Sequence, residues 1–263
     1  NGTSSNLSVN GGSLGAGATW KWYTGSCGGT LAGTGTLISV SPSSTTTYYL
    51  RAEGTCNNTA CTSFTLVVNP LPQGNISSST SICYGTSATL TFNFTVGTGP
   101  FNIQYTDGTN IYTRNNVSNG DTIQVAPTTT TTYTFTQITD NNTCTRSSGF
   151  SCGATVTVTP LPVISSVTET DVLCFGGNTG TISVSASSGT PPLTYSIDNG
   201  TSYQVGNSFG GLTIGSYSIK VKDLQNCSAT YAFNPVVVGQ PTAVVIDSAP
   251  STPASCSSVF DVT

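Results

Sequence analysis

The sequence predicts an all-β chain of small β-sandwich domains strung in tandem, head to tail, into a rod. Three observations carry that prediction. Short alternating runs rich in Val, Ile, Thr, Tyr and Phe lie between clusters of Gly, Asn, Asp and Pro, with no useful stretch at helical period. The chain also repeats itself: Gly85-Thr86-Ser87-Ala88-Thr89-Leu90-Thr91 echoes Gly2-Thr3-Ser4-Ser5-Asn6-Leu7-Ser8, and Pro42 and Pro127 precede Tyr48 and Tyr133 at equal spacing across hydroxyl-rich runs. The joints repeat as well, as Val68-Asn69-Pro70-Leu71-Pro72 and Val158-Thr159-Pro160-Leu161-Pro162. A repeat of roughly 80 to 90 residues is too long for a helical solenoid unit and suits one sandwich. The expected division is 1–69, a domain lacking its first strand, then 70–160, 161–240, and 241–263 as the start of a further repeat. Each joint proline fixes its φ and restricts the residue before it, so the joints are expected to be stiff.

In the first domain, Ala18 to Tyr23 reads as a strand with Trp20 and Trp22 on one face and Lys21 on the other. The pair has two readings: a sugar-stacking platform, or the buried tryptophan of strand C in an immunoglobulin-like sandwich. The second is preferred. Thr47-Tyr48-Tyr49-Leu50 then resembles the start of strand F, where a tyrosine-corner residue precedes an inward position by two. Tyr48, Tyr133 and Tyr217 take that role, with Leu50, Phe135 and Ile219 pointing inward. Asp107-Gly108, Asn119-Gly120 and Asp198-Asn199-Gly200 are turns. Ala243-Val244-Val245-Ile246 reads as a first strand, with Cys256 ahead of Val259-Phe260-Asp261-Val262.

Composition excludes several classes of function. Only 6% of residues are charged, against a usual figure of about 25%, so hydroxyls and amides carry the surface polarity. The net charge is −4 and the basic residues are scattered, which argues against a nucleic-acid partner. With no histidine there is no Ser-His-Asp triad and no Cys-His pair. Gly149-Phe150-Ser151-Cys152-Gly153 has the spacing of a nucleophile elbow but lacks the strand-to-helix turn and the base. Glycosidase chemistry needs two carboxylates about 5 to 10 Å apart, and only Glu169 and Asp171 are close in sequence. Glu169, Asp171, Asp140 and Asp198 are candidate calcium ligands, though solvated turns account for them better. No metal or cofactor is expected. No run is long enough to span a bilayer, so no direct membrane insertion is expected.

The third domain carries a distinctive order of motifs. Cys174-Phe175-Gly176-Gly177-Asn178-Thr179-Gly180 opens it, followed by Gly189-Thr190-Pro191-Pro192-Leu193-Thr194-Tyr195, Leu212-Thr213-Ile214-Gly215-Ser216-Tyr217, Asp223-Leu224-Gln225-Asn226-Cys227 and Gly239-Gln240-Pro241. This run resembles the SprB-type repeat of gliding Bacteroidota, with Leu193 where that family often has Tyr. Trp22-Tyr23-Thr24-Gly25-Ser26-Cys27-Gly28-Gly29-Thr30 and Thr45-Thr46-Thr47-Tyr48-Tyr49 resemble the Ig-like and PKD-like modules of the same giant surface proteins. The resemblance implies a non-catalytic piece of a cell-surface adhesin fibre, exported by type 9 secretion and driven by the gliding motor. Its partners are then neighbouring repeats of the same chain, and its surface or polysaccharide ligand binds elsewhere. The resemblance also implies O-glycosylation at Asp-Ser/Thr-apolar sites, which Thr122 and Ser248 fit. The alternatives are a carbohydrate-binding module that stacks sugar on Trp20 or Trp22, and spacers behind a secreted polysaccharide enzyme. A passive spacer should lack any concave, aromatic-lined cleft of ligand size.

Nine cysteines without a Cys-x-x-Cys pair or histidine point to disulfides in an extracellular, oxidising setting. Cys56 and Cys61 flank a short loop between adjacent strands, and Cys144 and Cys152 flank a longer one in the same place. Facing positions of a hairpin lie within disulfide range, so bonds Cys56–Cys61 and Cys144–Cys152 are expected. Cys27 is expected to lack its partner. Cys227 has two options, Cys174 within its own domain or Cys83 across a joint, and the bond to Cys174 is preferred.

Overall fold

The computed structural model describes residues 3–78, 81–150 and 153–245 of the 263. Among them there is no helix, and the chain divides into two compact units, Asn1–Val158 and Thr159–Thr263. The first unit holds two immunoglobulin-like sandwiches with separate cores.

The first sandwich contains β1 (Ser5–Ser8), β2 (Thr19–Thr24), β3 (Thr30–Thr34), β4 (Leu37–Val40), β5 (Thr46–Glu53) and β6 (Thr62–Leu66). One sheet runs β3-β2-β5-β6, while β1 and β4 pair with each other as a second, two-stranded sheet. The side-chain period of two sends Trp22, Tyr48 and Leu50 inward to meet Leu7 and Ile38, as the sequence pattern requires. Gly35, at a φ of +106°, turns the chain so that its carbonyl accepts the Trp22 indole N–H at 3.0 Å. A residue with a side chain is rarely found at that φ.

The second sandwich contains β7 (Gln73–Ser78), β8 (Ser81–Cys83), β9 (Ala88–Val96), β10 (Phe101–Thr106), β11 (Ile111–Val117), β12 (Thr122–Val125), β13 (Thr131–Thr139), β14 (Thr145–Arg146) and β15 (Ala154–Thr159). Its sheets run β12-β9-β7 and β11-β10-β13-β15-β8, with β14 added to β13. Leu90, Phe92, Ile103 and Ile138 are wholly buried between them. Phe92 lies 5.5 Å from Tyr105 and 5.9 Å from Phe135, ring centre to ring centre. Such tilted aromatic pairs add to the hydrophobic gain of burial.

The second unit contains β16 (Val163–Thr170), β17 (Gly180–Ser187), β18 (Thr194–Ser196), β19 (Ser208–Leu212), β20 (Gly215–Tyr217), β21 (Lys220–Lys222), β22 (Ser228–Thr230) and β23 (Val236–Val238). Its sheets run β16-β17-β19, β18-β21-β22 and β20-β23 around Ile182, Val184, Ile219, Val221 and Val238. Tyr217 donates its hydroxyl to the Thr213 carbonyl at 2.9 Å, the bond of a tyrosine corner. Leu50, Phe135 and Ile219 are buried as expected. The Asp107, Asn119 and Asp198 turns also form, with Gly108, Gly120, Asn199 and Gly200 at positive φ.

Hydroxyl groups meet directly across the strands. Thr47 and Thr65 lie 3.0 Å apart, Thr132 and Thr155 2.8 Å, Thr139 and Thr145 2.9 Å, and Thr170 and Thr181 2.7 Å. Each pair joins residues in direct register, a position where such bonds stabilise a sheet.

Candidate functional site

A trough of about 450 Å³ lies beside β1 in the first sandwich. Trp20, Trp22, Tyr48 and Leu50 line it together with Leu7, Val9 and Phe64. Trp22 is 4% exposed and belongs to the core, whereas Trp20 is half-buried. A cavity of this volume with aromatic walls falls within the range of small-ligand sites. The expectation that no such cleft exists is therefore corrected. It followed from the passive-spacer reading, and among the described residues β1 pairs only with β4, which leaves the core open beside it.

On the opposite face of β2 and β5 the side-chain alternation gathers Lys21, Tyr23, Arg51 and Glu53. Lys21 Nζ lies 2.7 Å from Glu53 Oε2, and Arg51 Nε donates to Glu53 Oε1 at 2.7 Å. Tyr23 also donates its hydroxyl to Glu53. The Lys21 bond, followed by those from Tyr23 and Arg51, holds the Glu53 carboxyl down to about 2. These groups satisfy one another, so the cluster presents no free acid or base.

The cysteine pairings differ from those expected. Cys27 bonds Cys61, with Cα atoms 5.8 Å apart, and Cys56, Cys144 and Cys174 are free thiols. Cys83 and Cys227 are each disulfide-bonded. Four corrections follow, each with a geometric cause. The chain between β5 and β6 turns at residues 54–57, where Gly54 N–H donates to the Asn57 carbonyl, so Cys56 sits in the turn and not opposite Cys61. Cys61 instead precedes β6 and reaches Cys27 in the loop after β2, so Cys27 is not without a partner.

Cys144 faces Asp140 at one end of β13, whereas Ala154 faces Tyr133 near the other. The two sides of that loop thus lie roughly 20 Å apart along the strand, and Cys152 itself is outside the described residues. Cys174 precedes the start of β17, while Cys227 lies by Asp223, which binds Thr190 beyond the end of β17. A strand of that length separates them by about 25 Å, far beyond disulfide reach.

Two buried carboxylates, Asp140 and Asp223, do a job that the sequence reading assigned to solvated turns or left unassigned. Asp223 accepts the backbone N–H of Cys227 at 2.8 Å, of Gln225 at 2.9 Å and of Thr190 at 2.9 Å. Asp140 accepts those of Cys144 at 2.9 Å and Thr98 at 3.2 Å. Asn226 and Thr143 hold matching positive φ angles in the two turns. Each carboxylate therefore clamps its own turn to the loop leading into β18 or β10. The signal was present in the sequence as two Asp-x-x-x-Cys turns, each paired with a Gly-Thr-x-Pro loop, Gly97–Pro100 and Gly189–Pro192.

The remaining candidates stay apart. Asp171 accepts the Gly239 N–H at 2.6 Å, and Glu169 is exposed on β16. Asp198 is occupied by Ser196 and by Ser202, whose hydroxyl bond is the first cause of a carboxyl pKa held well below the usual range. Among the described residues no cluster of three or more His, Cys, Asp or Glu could hold a metal ion. Gly149-Phe150 leads into β15, a strand and not a helix, and Ser151 and Cys152 are outside the described residues. Thr122 is exposed on β12, and Ser248 is outside the described residues.

A polar groove of about 740 Å³ runs between the Asp107 turn and the threonine run ahead of β13. There Asp107 takes N–H bonds from Asn110 and Thr109 and the Tyr112 hydroxyl, which hold its carboxyl well below the usual range.

Two family models match parts of this chain. One described as an Ig-like domain, CHU_C associated, matches residues 1–70, and one described as a SprB repeat matches residues 166–202. The second match runs from within β16 to the Asp198 turn. No curated protein matches. Among solved structures, the N-terminal eight Ig domains of Down Syndrome Cell Adhesion Molecule, isoform 1.30.30, align at 13% identity and a TM-score of 0.40, covering 92% of this chain and 35% of that one. This chain thus spans about a third of that structure's length. The FN1–FN3 domains of chicken CNTN1 align at 13% identity and a TM-score of 0.31, covering 90% of this chain and 95% of that one.

Proposed function

We propose that this chain is a non-catalytic, structural segment of a long extracellular adhesin fibre that serves cell-surface adhesion and gliding. The observation that carries the reading is the presence of an Ig-like match and a SprB-repeat match in one chain. Disulfides in a chain without histidine support an oxidising, extracellular location. On this reading the segment transmits force between neighbouring repeats of its own polypeptide. The surface or polysaccharide ligand binds elsewhere in the fibre, which is exported by type 9 secretion and attached at the outer membrane. The segment contacts neither nucleic acid nor the bilayer interior, and the exposed Thr122 suits an O-linked glycan. Domains 1–69, 70–160 and 161–240 are its load-bearing beads.

The test is antibody labelling of intact cells with an antibody raised against the segment. Surface label that moves with gliding cells is expected, and label found only after permeabilisation overturns the reading.

The trough lined by Trp20 and Trp22 favours one second reading, a carbohydrate-binding module. Titration with a polysaccharide panel separates the two. The fibre reading expects no change in tryptophan fluorescence, and a micromolar response lost in Trp20→Ala establishes the module.

A further inference from the structure

We propose that the polar groove of the second sandwich is a binding site for a neutral saccharide. Neither family match reaches the residues of this groove. The proposal goes beyond the fibre reading, which places the surface ligand in another part of the fibre, and adds a lateral contact on the segment itself.

The site follows from where two inward tyrosines fall along their strands. Alternation turns Tyr105 of β10 and Tyr133 of β13 toward the core, and they are 3% and 5% exposed. Tyr105 stands at the end of β10 and Tyr133 near the start of its antiparallel neighbour β13, so both lie at the same end of the sandwich. Their rings belong to the core, while both residues line the groove. Neither hydroxyl has a hydrogen-bond partner among the described residues, and neither is sealed from the groove.

Tyr217 shows what is missing. There the hydroxyl donates to the carbonyl of Thr213, four residues earlier, and closes a tyrosine corner. The carbonyl four residues before Tyr133, that of Thr129, instead accepts the Thr131 hydroxyl at 2.7 Å. Burial, followed by the Asp107 charge, raises the Tyr133 phenol above its ordinary value, so it keeps its proton and remains a donor.

The rest of the groove suits an uncharged ligand. Asp107 is the one charged side chain in its lining, and its oxygens already accept four bonds. They come from the Thr109 N–H at 2.8 Å, the Asn110 N–H at 2.7 Å, the Asn110 side-chain amide at 3.2 Å and the Tyr112 hydroxyl at 2.8 Å. A carboxylate offers about four such positions, so Asp107 fixes Tyr112 and keeps no capacity for an ammonium group or a metal ion. Tyr112, 39% exposed, stacks on Tyr105 with ring centres 5.1 Å apart and gives the groove an aromatic wall. The hydroxyls of Tyr105 and Tyr133 remain, with the exposed Thr128 and Thr129 on the other side. Hydroxyls both donate and accept, as those of a sugar do, and an aromatic wall matches the C–H face of a sugar ring. The volume of about 740 Å³ is that of a small-ligand site.

The test titrates the full chain, made without glycans, with cellohexaose, laminarihexaose, maltohexaose and mannohexaose. Hexagalacturonate and the glucosamine hexamer are the charged controls. Backbone amide shifts at Thr109, Asn110 and Thr129 report on the groove, and the Trp20 and Trp22 indoles report on the trough. At least one neutral probe should shift the groove amides saturably at millimolar concentration and leave both indoles in place. Tyr105→Phe and Tyr133→Phe keep the rings that the core needs and remove one hydroxyl each. Each should weaken binding about five- to tenfold, and the double variant should abolish it. Unchanged affinity in both variants overturns the proposal, as does silence of the groove amides with all four neutral probes. Stronger binding of either charged hexamer, or shifts confined to the indoles, does the same. Chain isolated with its native glycans separates the two sources of saccharide. Uptake of the probe only after deglycosylation identifies a glycan of the chain or its neighbours as the occupant, and equal uptake before and after identifies a free polysaccharide.

Discussion

Glu53 is the one acidic side chain among the first 69 residues, and its partners set how that domain responds to acid. Its carboxyl is lowered from an ordinary 4.5 to about 2. A folded-state value below the unfolded one means that the contribution to stability is complete above about 4.5 and is lost as pH falls from there toward 2. Tryptophan-monitored unfolding of the first sandwich should show that loss, and Glu53→Gln should flatten it; a wild-type curve level across the window would refute the assignment. Asp223 acts differently, through buried geometry. Asp223→Ala leaves three backbone N–H groups without their acceptor, and charge-assisted bonds of this kind put the cost on the order of 3 kcal/mol. Asp223→Asn keeps one oxygen and should cost less. Urea unfolding of the second unit measures both, and an Asp223→Ala change below about 0.5 kcal/mol would show the clamp to be incidental.

Strand pairing decides the cysteines. The Cys27–Cys61 bond closes a separation of 34 residues, so its loss should cost the first sandwich about 3 to 4 kcal/mol. Non-reducing peptide mapping should recover that cross-link and find Cys56, Cys144 and Cys174 open to alkylation. A Cys56–Cys61 peptide would show the turn to be misplaced. These elements also show what the sequence could and could not reveal. Alternation exposed the inward positions Leu50, Phe135 and Ile219, and the Asp-Gly and Asn-Gly pairs exposed the turns, because both signals are local. Disulfide pairing is not local: it depends on which strand ends meet. The preference for Cys56–Cys61 rested on closeness in sequence, and the turn at 54–57 removed Cys56 from the facing position. The Asp140 and Asp223 clamps escaped notice for a related reason, since each joins a turn to a loop far away in the chain. The trough was missed because period-two patterning identifies which face is inward and not whether a neighbouring strand covers it.

At the scale of the whole molecule, the three core clusters share no residue, so damage to one should leave the others standing. Trp22→Ala should cost the first sandwich about 3 to 5 kcal/mol and shift one calorimetric transition while the rest stay in place. A uniform shift of the whole profile would mean that the sandwiches unfold as one. The facing threonines have a further consequence, which concerns the medium around the protein. Interactions between ions at a surface weaken as dissolved salt shortens the screening length, from about 30 Å at 0.01 M to about 3 Å at 1 M. Bonds between neutral hydroxyls carry no net charge to screen. Among the described residues both ion pairs converge on Glu53, so only the first sandwich holds a salt-sensitive contact of that kind. The second sandwich and the second unit should keep their melting temperatures from dilute buffer to brine, which suits a surface exposed to whatever water surrounds it.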